Sequence, residues 1–96
     1  LSRARDSKVL NKPRRITVIT RQRCELCADL LEHLAPYVGT GHLLLQAVDV
    51  DADPALLALH AWRVPVVMED GQELLWGRID AVEVQAIFGP PPGVSD

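Results

Sequence analysis

Two cysteines, Cys24 and Cys27, are the residues whose type and spacing could do chemistry in this 96-residue chain. They are its complete set of cysteines, and Glu25 and Leu26 separate them. A dithiol can exchange with a disulfide, because one thiolate attacks and the other resolves the mixed disulfide that forms. The same spacing occurs at zinc sites, which need about four ligands. The pair therefore predicts dithiol redox chemistry or a metal site.

The residues around the pair predict a strand before it and a helix after it. Residues 16–20 are rich in β-branched side chains, which suit a strand. We predict a helix from about Cys24 to Ala35 or Val38, with Pro36 kinking or ending it. Its apolar positions would share one buried face. They are Cys27, Leu30, Leu31, Leu34 and Val38.

This placement predicts two unequal thiols. The first amides of a helix lack intrahelical partners and, with the helix dipole, favour an anion. We therefore expect Cys24 to be the nucleophilic thiolate, supported by Arg21 and Arg23 and opposed by Glu25. Cys27 lies one turn further on and should face inward, as the resolving thiol.

The histidines give a metal site little support. His33, His42 and His60 do not form a closely spaced pair that would complete four zinc ligands. We therefore expect no bound metal.

The remainder of the chain predicts the order β-α-β-α-β-β-α. Residues 42–50 are apolar and suit a strand covered on both faces, parallel to the first. Asp53-Pro54 should begin a second helix, and Asp70-Gly71 should join two strands of a hairpin, at 64–68 and 74–76. Asp80 and Glu83 suit the start of a last helix that runs through Phe88. We expect Trp62 and Trp76 to be packing residues.

Length and charge predict one domain with short flanking segments. We expect a basic flexible leader at 1–15, a domain at 16–88 and a Pro-rich flexible tail at 89–96. The leader holds six basic residues and one acid: Arg3, Arg5, Lys8, Lys12, Arg14 and Arg15, against Asp6. It has no aromatic residue to stack on bases, and the net charge of the chain is −3, so we expect no nucleic-acid partner. No run approaches the ~20 apolar residues of a membrane span, and we expect a cytoplasmic monomer without a membrane partner.

The dithiol after the first strand, the Val64-Pro65 strand, the hairpin and the final helix together resemble glutaredoxin-like proteins of the thioredoxin-fold superfamily. The resemblance spans about residues 16–88. It implies a three-layer α/β fold with a mixed four-stranded sheet. It also implies a cis bond at Val64-Pro65, and it places the Val64 backbone beside Cys24, where it would pair with an incoming peptide or glutathione.

The resemblance further implies a thiol–disulfide oxidoreductase in which Cys24 and Cys27 are catalytic. No cofactor would be bound, and glutathione is a possible co-substrate beside a disulfide-bearing protein or small thiol. The predicted substrate-binding residues surround the dithiol. They are Arg21, Arg23, Val64, Pro65, Gly77, Arg78 and Asp80.

Four positions depart from the glutaredoxin pattern. Glu25-Leu26 replaces the usual Pro-Tyr, Arg63 replaces a threonine, and Arg78 replaces the second glycine of a pair. The two arginines would either hold a carboxylate through forked hydrogen bonds or obstruct the groove. A metal-binding Cys-x-x-Cys chaperone and a redox-inactive thioredoxin-fold adaptor remain alternative functions.

Overall fold

The computed structural model describes residues 13–92, so most of the predicted leader and the last four residues of the predicted tail lie outside the described residues. The element order confirms the predicted β-α-β-α-β-β-α. The elements are β1 (Arg14–Thr20), α1 (Glu25–Gly39), β2 (Leu43–Asp49), a 3₁₀ turn (Val50–Ala52), α2 (Pro54–His60), β3 (Val66–Glu69), β4 (Gln72–Trp76) and α3 (Ala81–Phe88).

The strands form the predicted mixed four-stranded sheet, in the order β2-β1-β3-β4. β1 is parallel to β2, and β3 is antiparallel to both β1 and β4. β1 begins at Arg14, two residues before the predicted start at residue 16. The Arg14 guanidinium explains the early start, because it donates to both carboxylate oxygens of Glu69 at 2.6 and 2.9 Å and so fixes the start of β1 beside the end of β3.

The prediction that the second strand is covered on both faces was wrong. β2 lies at the edge of the sheet, and the side chain of Leu44 is 48% exposed. An apolar run has the same composition in a central strand and at an edge, so the sequence pattern does not separate the two cases. Its parallel pairing with β1, from Arg14 opposite Leu43 to Thr20 opposite Asp49, is as predicted.

Helices cover both faces of the sheet and give three layers. On one face, side chains of α1 and α3 pack with β1 and β3; Leu30, Leu34 and Val84 are buried there against Val18 and Val67. On the other face, Ile19 and Val66 pack with Val50 of the 3₁₀ turn and with Leu56 of α2. β1 serves both clusters because alternate side chains of a strand point to opposite faces.

The first helix extends beyond the predicted break. Pro36 lies inside α1, which continues to Gly39. Tyr37, rather than the predicted Val38, fills the last buried position; its hydroxyl donates to the Gly89 carbonyl at 2.6 Å, and its ring packs 5.9 Å from that of Phe88. Val38 is 40% exposed. These contacts of Tyr37 anchor the turn beyond Pro36 and offset the hydrogen bond that proline cannot make.

The predicted caps and hairpin turn are present. Asp53 caps α2 by accepting from the Ala55 amide, with Pro54 in the first turn. Asp80 and Glu83 form a reciprocal capping box at α3. Asp70 and Gly71 both have positive φ, 53° and 80°, as a tight two-residue hairpin turn requires.

Candidate functional site

Cys24 lies at the junction of β1 and α1, where the chain reverses within three residues. Arg23 adopts a positive φ of 59°, and Cys24 is then the N-cap of α1 with an extended backbone. Its sulfur accepts the Cys27 amide at 3.2 Å. Both cysteines are free thiols. The half-buried Cys24 sulfur thus lies at the positive, N-terminal end of a fifteen-residue helix, as predicted.

Cys27 is the less accessible thiol. It lies in the first turn of α1, on the face that packs against the sheet, and is 3% exposed. Burial, followed by the hydrogen bond with Cys24, raises the pKa of Cys27 to about 12; the backbone hydrogen bond and the charge of Arg21 oppose this more weakly. Cys27 therefore holds its proton at neutral pH. The predicted asymmetry in burial between the two cysteines is present.

The two arginines before Cys24 differ in their contacts. Arg21 donates to both oxygens of Asp51 at 3.2 and 3.3 Å, and its Nη1 donates to the Ala61 carbonyl at 3.0 Å. These contacts tie the loop after β1 to the loop before β3. Arg23 is exposed and makes no ion pair with any of residues 13–92.

An open cleft of about 550 Å³ lies beside the dithiol. All of its lining residues come from the end of β1, the turn and the start of α1; they include Thr20, Arg21, Arg23, Cys24, Cys27 and Leu31. The cleft thus brings together four predicted site residues. Val64, Pro65, Gly77, Arg78 and Asp80 do not line it.

The pairing of β3 with β1 places the Val64-Pro65 segment beside the end of β1 that leads to the dithiol. The Val64-Pro65 bond is cis, as the resemblance implied, and Pro65 is buried. Val66 pairs with Ile19, so the antiparallel register continued by one residue sets Pro65 opposite Thr20. Since Thr20 lines the cleft, the proline segment forms the neighbouring wall of the same end of the sheet.

The loop after β4 continues that wall. The Gly77 amide donates to the Pro65 carbonyl at 2.8 Å and to the Arg63 carbonyl at 3.1 Å, with Gly77 at a positive φ of 80°. Arg78 follows and is exposed, without an ion pair to any residue of the described range. One Asp80 carboxylate oxygen accepts the Glu83 amide at 2.9 Å, so this predicted binding residue also has a structural task.

Arg63 has partners within the chain. Its guanidinium forms a forked pair with the Glu73 carboxylate and lies 4.6 Å from the ring centre of Trp76. Buried His60 presents Nδ1 3.8 Å from the same carboxylate. The guanidinium that would hold a substrate carboxylate already holds Glu73 in this structure, whereas the alternative that Arg63 obstructs the groove stays a prediction.

We predicted that both tryptophans are packing residues, but both are exposed and they pack mainly on each other. Trp62 is 78% exposed and Trp76 is 50% exposed, and their rings meet edge to face with centres 5.9 Å apart. Trp62 lies in the loop before β3, and Trp76 ends the edge strand β4, so no helix or strand of the described part of the chain covers either ring. Sequence reasoning missed this pair because residue type favours burial while strand order decides it.

Two further observations limit the classes of site. Between residues 13 and 92, no three His, Cys, Asp or Glu side chains come together as a group that could hold a metal ion. Over the same residues, no helix is both long and apolar enough to cross a bilayer.

Comparison with known proteins agrees with this geometry. Residues 15–88 match the family model described as Glutaredoxin-like domain (DUF836). An uncharacterized protein of Mycobacterium tuberculosis is 30% identical over 87 residues, which cover 80% of this chain and 90% of that protein. The X-ray structure of target protein XcR50 from X. campestris is 32% identical with a TM-score of 0.63, over 75% of this chain and 92% of that one.

A thioredoxin supports the fold alone. The mutant thioredoxin from Halobacterium salinarum is 18% identical with a TM-score of 0.57, over 95% of this chain and 85% of its own. The fold and the dithiol thus define a thioredoxin-fold protein whose Cys24-x-x-Cys27 pair supports a redox-type role. The chain belongs to the glutaredoxin-like domain family (DUF836).

Proposed function

We propose that this protein is a cytoplasmic thiol–disulfide oxidoreductase with Cys24 as nucleophile and Cys27 as resolving thiol. One observation carries the proposal: the half-buried Cys24 sulfur caps α1, and Cys27 lies buried one turn behind it. A structural pair would gain nothing from unequal thiols. A nucleophile and a resolving group need different accessibility and protonation.

The first step forms a mixed disulfide. The Cys24 thiolate attacks one sulfur of a substrate disulfide, the substrate S–S bond breaks, and the departing thiolate takes a proton from solvent. The amides at the start of α1 stabilise the attacking thiolate. Because Cys27 is buried and protonated, it does not compete for the substrate.

The second step resolves that bond. A mixed disulfide on Cys24 no longer carries the charge and the hydrogen bond that help to raise the Cys27 pKa, so Cys27 loses its proton more readily at this stage. Its thiolate attacks the Cys24 sulfur and releases the second substrate thiol. The substrate has gained two electrons, and the protein is left with a Cys24–Cys27 disulfide, which glutathione or another small thiol would reduce.

The neighbouring wall would orient the substrate. Val64 and Pro65 lie beside Thr20, where an extended peptide or glutathione backbone could pair with Val64. The Gly77 amide fixes this segment through its two hydrogen bonds, and Asp80 fixes the start of α3 by capping it. Arg23 then provides exposed positive charge beside the dithiol, and Arg78 provides it in the loop after β4.

Two serine variants test the proposal. Cys24→Ser should abolish the protein-dependent part of hydroxyethyl disulfide reduction with dithiothreitol as reductant. Cys27→Ser should keep the first step and accumulate a mixed disulfide on Cys24, detected by intact mass. Unchanged turnover in Cys24→Ser would contradict the mechanism. Absence of turnover in the unmodified protein, despite an alkylatable Cys24, would favour the redox-inactive adaptor instead.

A further inference from the structure

The exposed aromatic pair Trp62 and Trp76, which we call the aromatic patch, is not covered by any element of residues 13–92. The rings contact each other and Arg63 packs on Trp76, yet most of Trp62 faces solvent. The chain holds four aromatic residues, and the other two, Tyr37 and Phe88, pack together in the core cluster under α1. Exposed neighbouring tryptophans are typical of binding surfaces, where Trp and Arg contribute most of the affinity.

The aromatic patch is continuous with the wall of the dithiol site. Trp62 is two residues before Val64, and Trp76 pairs with Val66, the residue after Pro65. The Gly77 amide joins the end of β4 to the Pro65 and Arg63 carbonyls. A chain bound along Val64 would therefore lie next to the segment that carries Trp62 and near the end of β4 that carries Trp76.

The charges around the aromatic patch are partly neutralised. Arg63 is paired with Glu73, so it offers no fork to a glutathione carboxylate. Arg78, two residues after Trp76, is exposed and has no ion pair among residues 13–92. The surface thus presents two apolar rings followed by one available positive charge.

We propose that the preferred substrate of the dithiol is an extended segment of a disulfide-bonded protein, with an aromatic side chain near its cysteine and an acidic residue beside it. The aromatic side chain would pack on Trp62 and Trp76, and the acid would meet Arg78. This inference rests on the proposed function, since it assigns the substrate class of the same site.

The chemistry with such a substrate is balanced by the dithiol alone. Cys24 forms a bond to the peptide cysteine and breaks its disulfide, and the leaving thiolate is protonated by solvent. Cys27 then forms the Cys24–Cys27 bond and releases the peptide thiol. Two electrons pass from the protein to the peptide disulfide, and dithiothreitol, as a small dithiol, returns the protein to its reduced form.

Three synthetic peptides test the substrate class, each with one cysteine activated as a thionitrobenzoate mixed disulfide. The first carries Phe and Glu beside the cysteine, the second replaces Phe by Ala, and the third replaces Glu by Lys. All rates are divided by the rate with hydroxyethyl disulfide. We expect the relative rate with the first peptide to be about tenfold higher than with the second, as one well-packed aromatic contact implies. It should be about threefold higher than with the third at low salt.

Paired variants assign these preferences to residues. Trp62→Ala should reduce the Phe-over-Ala ratio to near one, whereas Leu59→Ala, which removes a side chain that is 63% exposed on α2, should leave it unchanged. Arg78→Glu should invert the Glu-over-Lys preference. Arg15→Glu, the same charge reversal at the opposite end of β1, should leave that preference as it was.

Several results would overturn the inference. If all three peptides react equally while hydroxyethyl disulfide is reduced, the substrate class is wrong and the oxidoreductase proposal stands. If the protein does not reduce hydroxyethyl disulfide either, both the substrate class and the oxidoreductase proposal are wrong. Sedimentation of the full chain supplies a further test: a dimer that Trp62→Ala dissociates would show that a second copy covers the patch, contrary to the proposal.

Discussion

Nη1 of Arg21 donates a hydrogen bond to the Ala61 carbonyl at 3.0 Å, and Nε and Nη2 of the same guanidinium donate to the Asp51 carboxylate. This contact joins the loop that delivers Cys24 to the loop that leads into Val64-Pro65. This side chain therefore helps to fix the two walls of the site relative to each other, in addition to the pairing of β1 with β3. The precision of the site depends on it, because thiol exchange needs a defined approach of the attacking sulfur.

Replacing Arg21 tests this connection. Arg21→Met keeps the length and apolar stem of the side chain but removes every donor. We expect the rate of Cys24 with hydroxyethyl disulfide to fall about threefold to tenfold, because the reacting groups are less well positioned. Stopped-flow kinetics provide the measurement, and Arg15→Met is the matched control at the far end of β1. An unchanged rate in Arg21→Met, with unchanged circular dichroism, would show that the contact does not position the site.

The buried Cys27 thiol predicts a loss of stability at alkaline pH. Its folded-state pKa of about 12 exceeds its ordinary value of 9.0. The thiol ionises at lower pH in the unfolded chain than in the folded protein. Its contribution to the free energy of unfolding is therefore complete below about pH 9 and is lost as pH rises towards 12. Urea midpoints of the reduced protein should fall over this range.

Cys27→Ala is the control for that dependence, because it removes the titrating group. Its midpoint should be lower at neutral pH and should fall less steeply above pH 9. Burial also raises the Tyr37 pKa, which adds a slope of the same sign to both proteins. Equal slopes in the two proteins would mean that Cys27 does not titrate differently on unfolding.

Glu69 predicts a loss of stability on the acidic side. The hydrogen bonds and charge of Arg14 lower the pKa of Glu69 below its ordinary 4.5. A lowered carboxyl pKa stabilises the fold above the unfolded-state value, and this contribution is lost as pH falls through the folded value. Because the Arg14 side chain is 42% exposed, the contribution should be only about 0.5–1 kcal/mol. Glu69→Gln should flatten the urea-midpoint profile below pH 4.5; a profile as steep as that of the unmodified protein would refute the assignment.

We expect the hydrogen bond of the Tyr37 hydroxyl to contribute to the free energy of unfolding. It donates to the Gly89 carbonyl at 2.6 Å and holds the end of α1 to the end of α3. Tyr37→Phe keeps the ring contact with Phe88 and should cost about 1 kcal/mol of unfolding free energy. Urea denaturation measures the difference, with Val82→Ala at a site 74% exposed as the control. A cost no larger than that of Val82→Ala would show that water replaces the bond without loss.

Local sequence signals predicted most of the fold. Asp53-Pro54, Asp70-Gly71 and Asp80 each specify a cap or turn through their own side chains or backbone preferences, and each appears in the predicted place. Strand order needs information from distant residues. The apolar run of β2 reads equally well as a central strand, and only its place at the edge leaves Leu44 exposed.

Some features of the candidate site could likewise be predicted from local sequence signals, and others depend on distant residues. The positions of Cys24 and Cys27 on α1 follow from helix capping and periodicity, and both are as predicted. The partners of Arg63 could not be predicted, because the guanidinium meets Glu73 and Trp76 only after β4 returns beside β3. The exposure of Trp62 likewise depends on which surface the folded sheet leaves uncovered. The catalytic roles of the cysteines stay a prediction until the serine variants are measured.

The strand pairings have a consequence for the order of folding. The β3–β4 hairpin closes over the two-residue turn at Asp70 and Gly71, whereas β1 reaches β2 only across the whole of α1. Closing the longer loop costs more chain entropy, and non-local pairing is slow. We expect amide protection in pulse-labelled refolding to appear in β3 and β4 before β1 and β2. The turn that carries Cys24 would then be among the last parts to form, so a nascent chain would expose two equivalent thiols until α1 docks on the sheet.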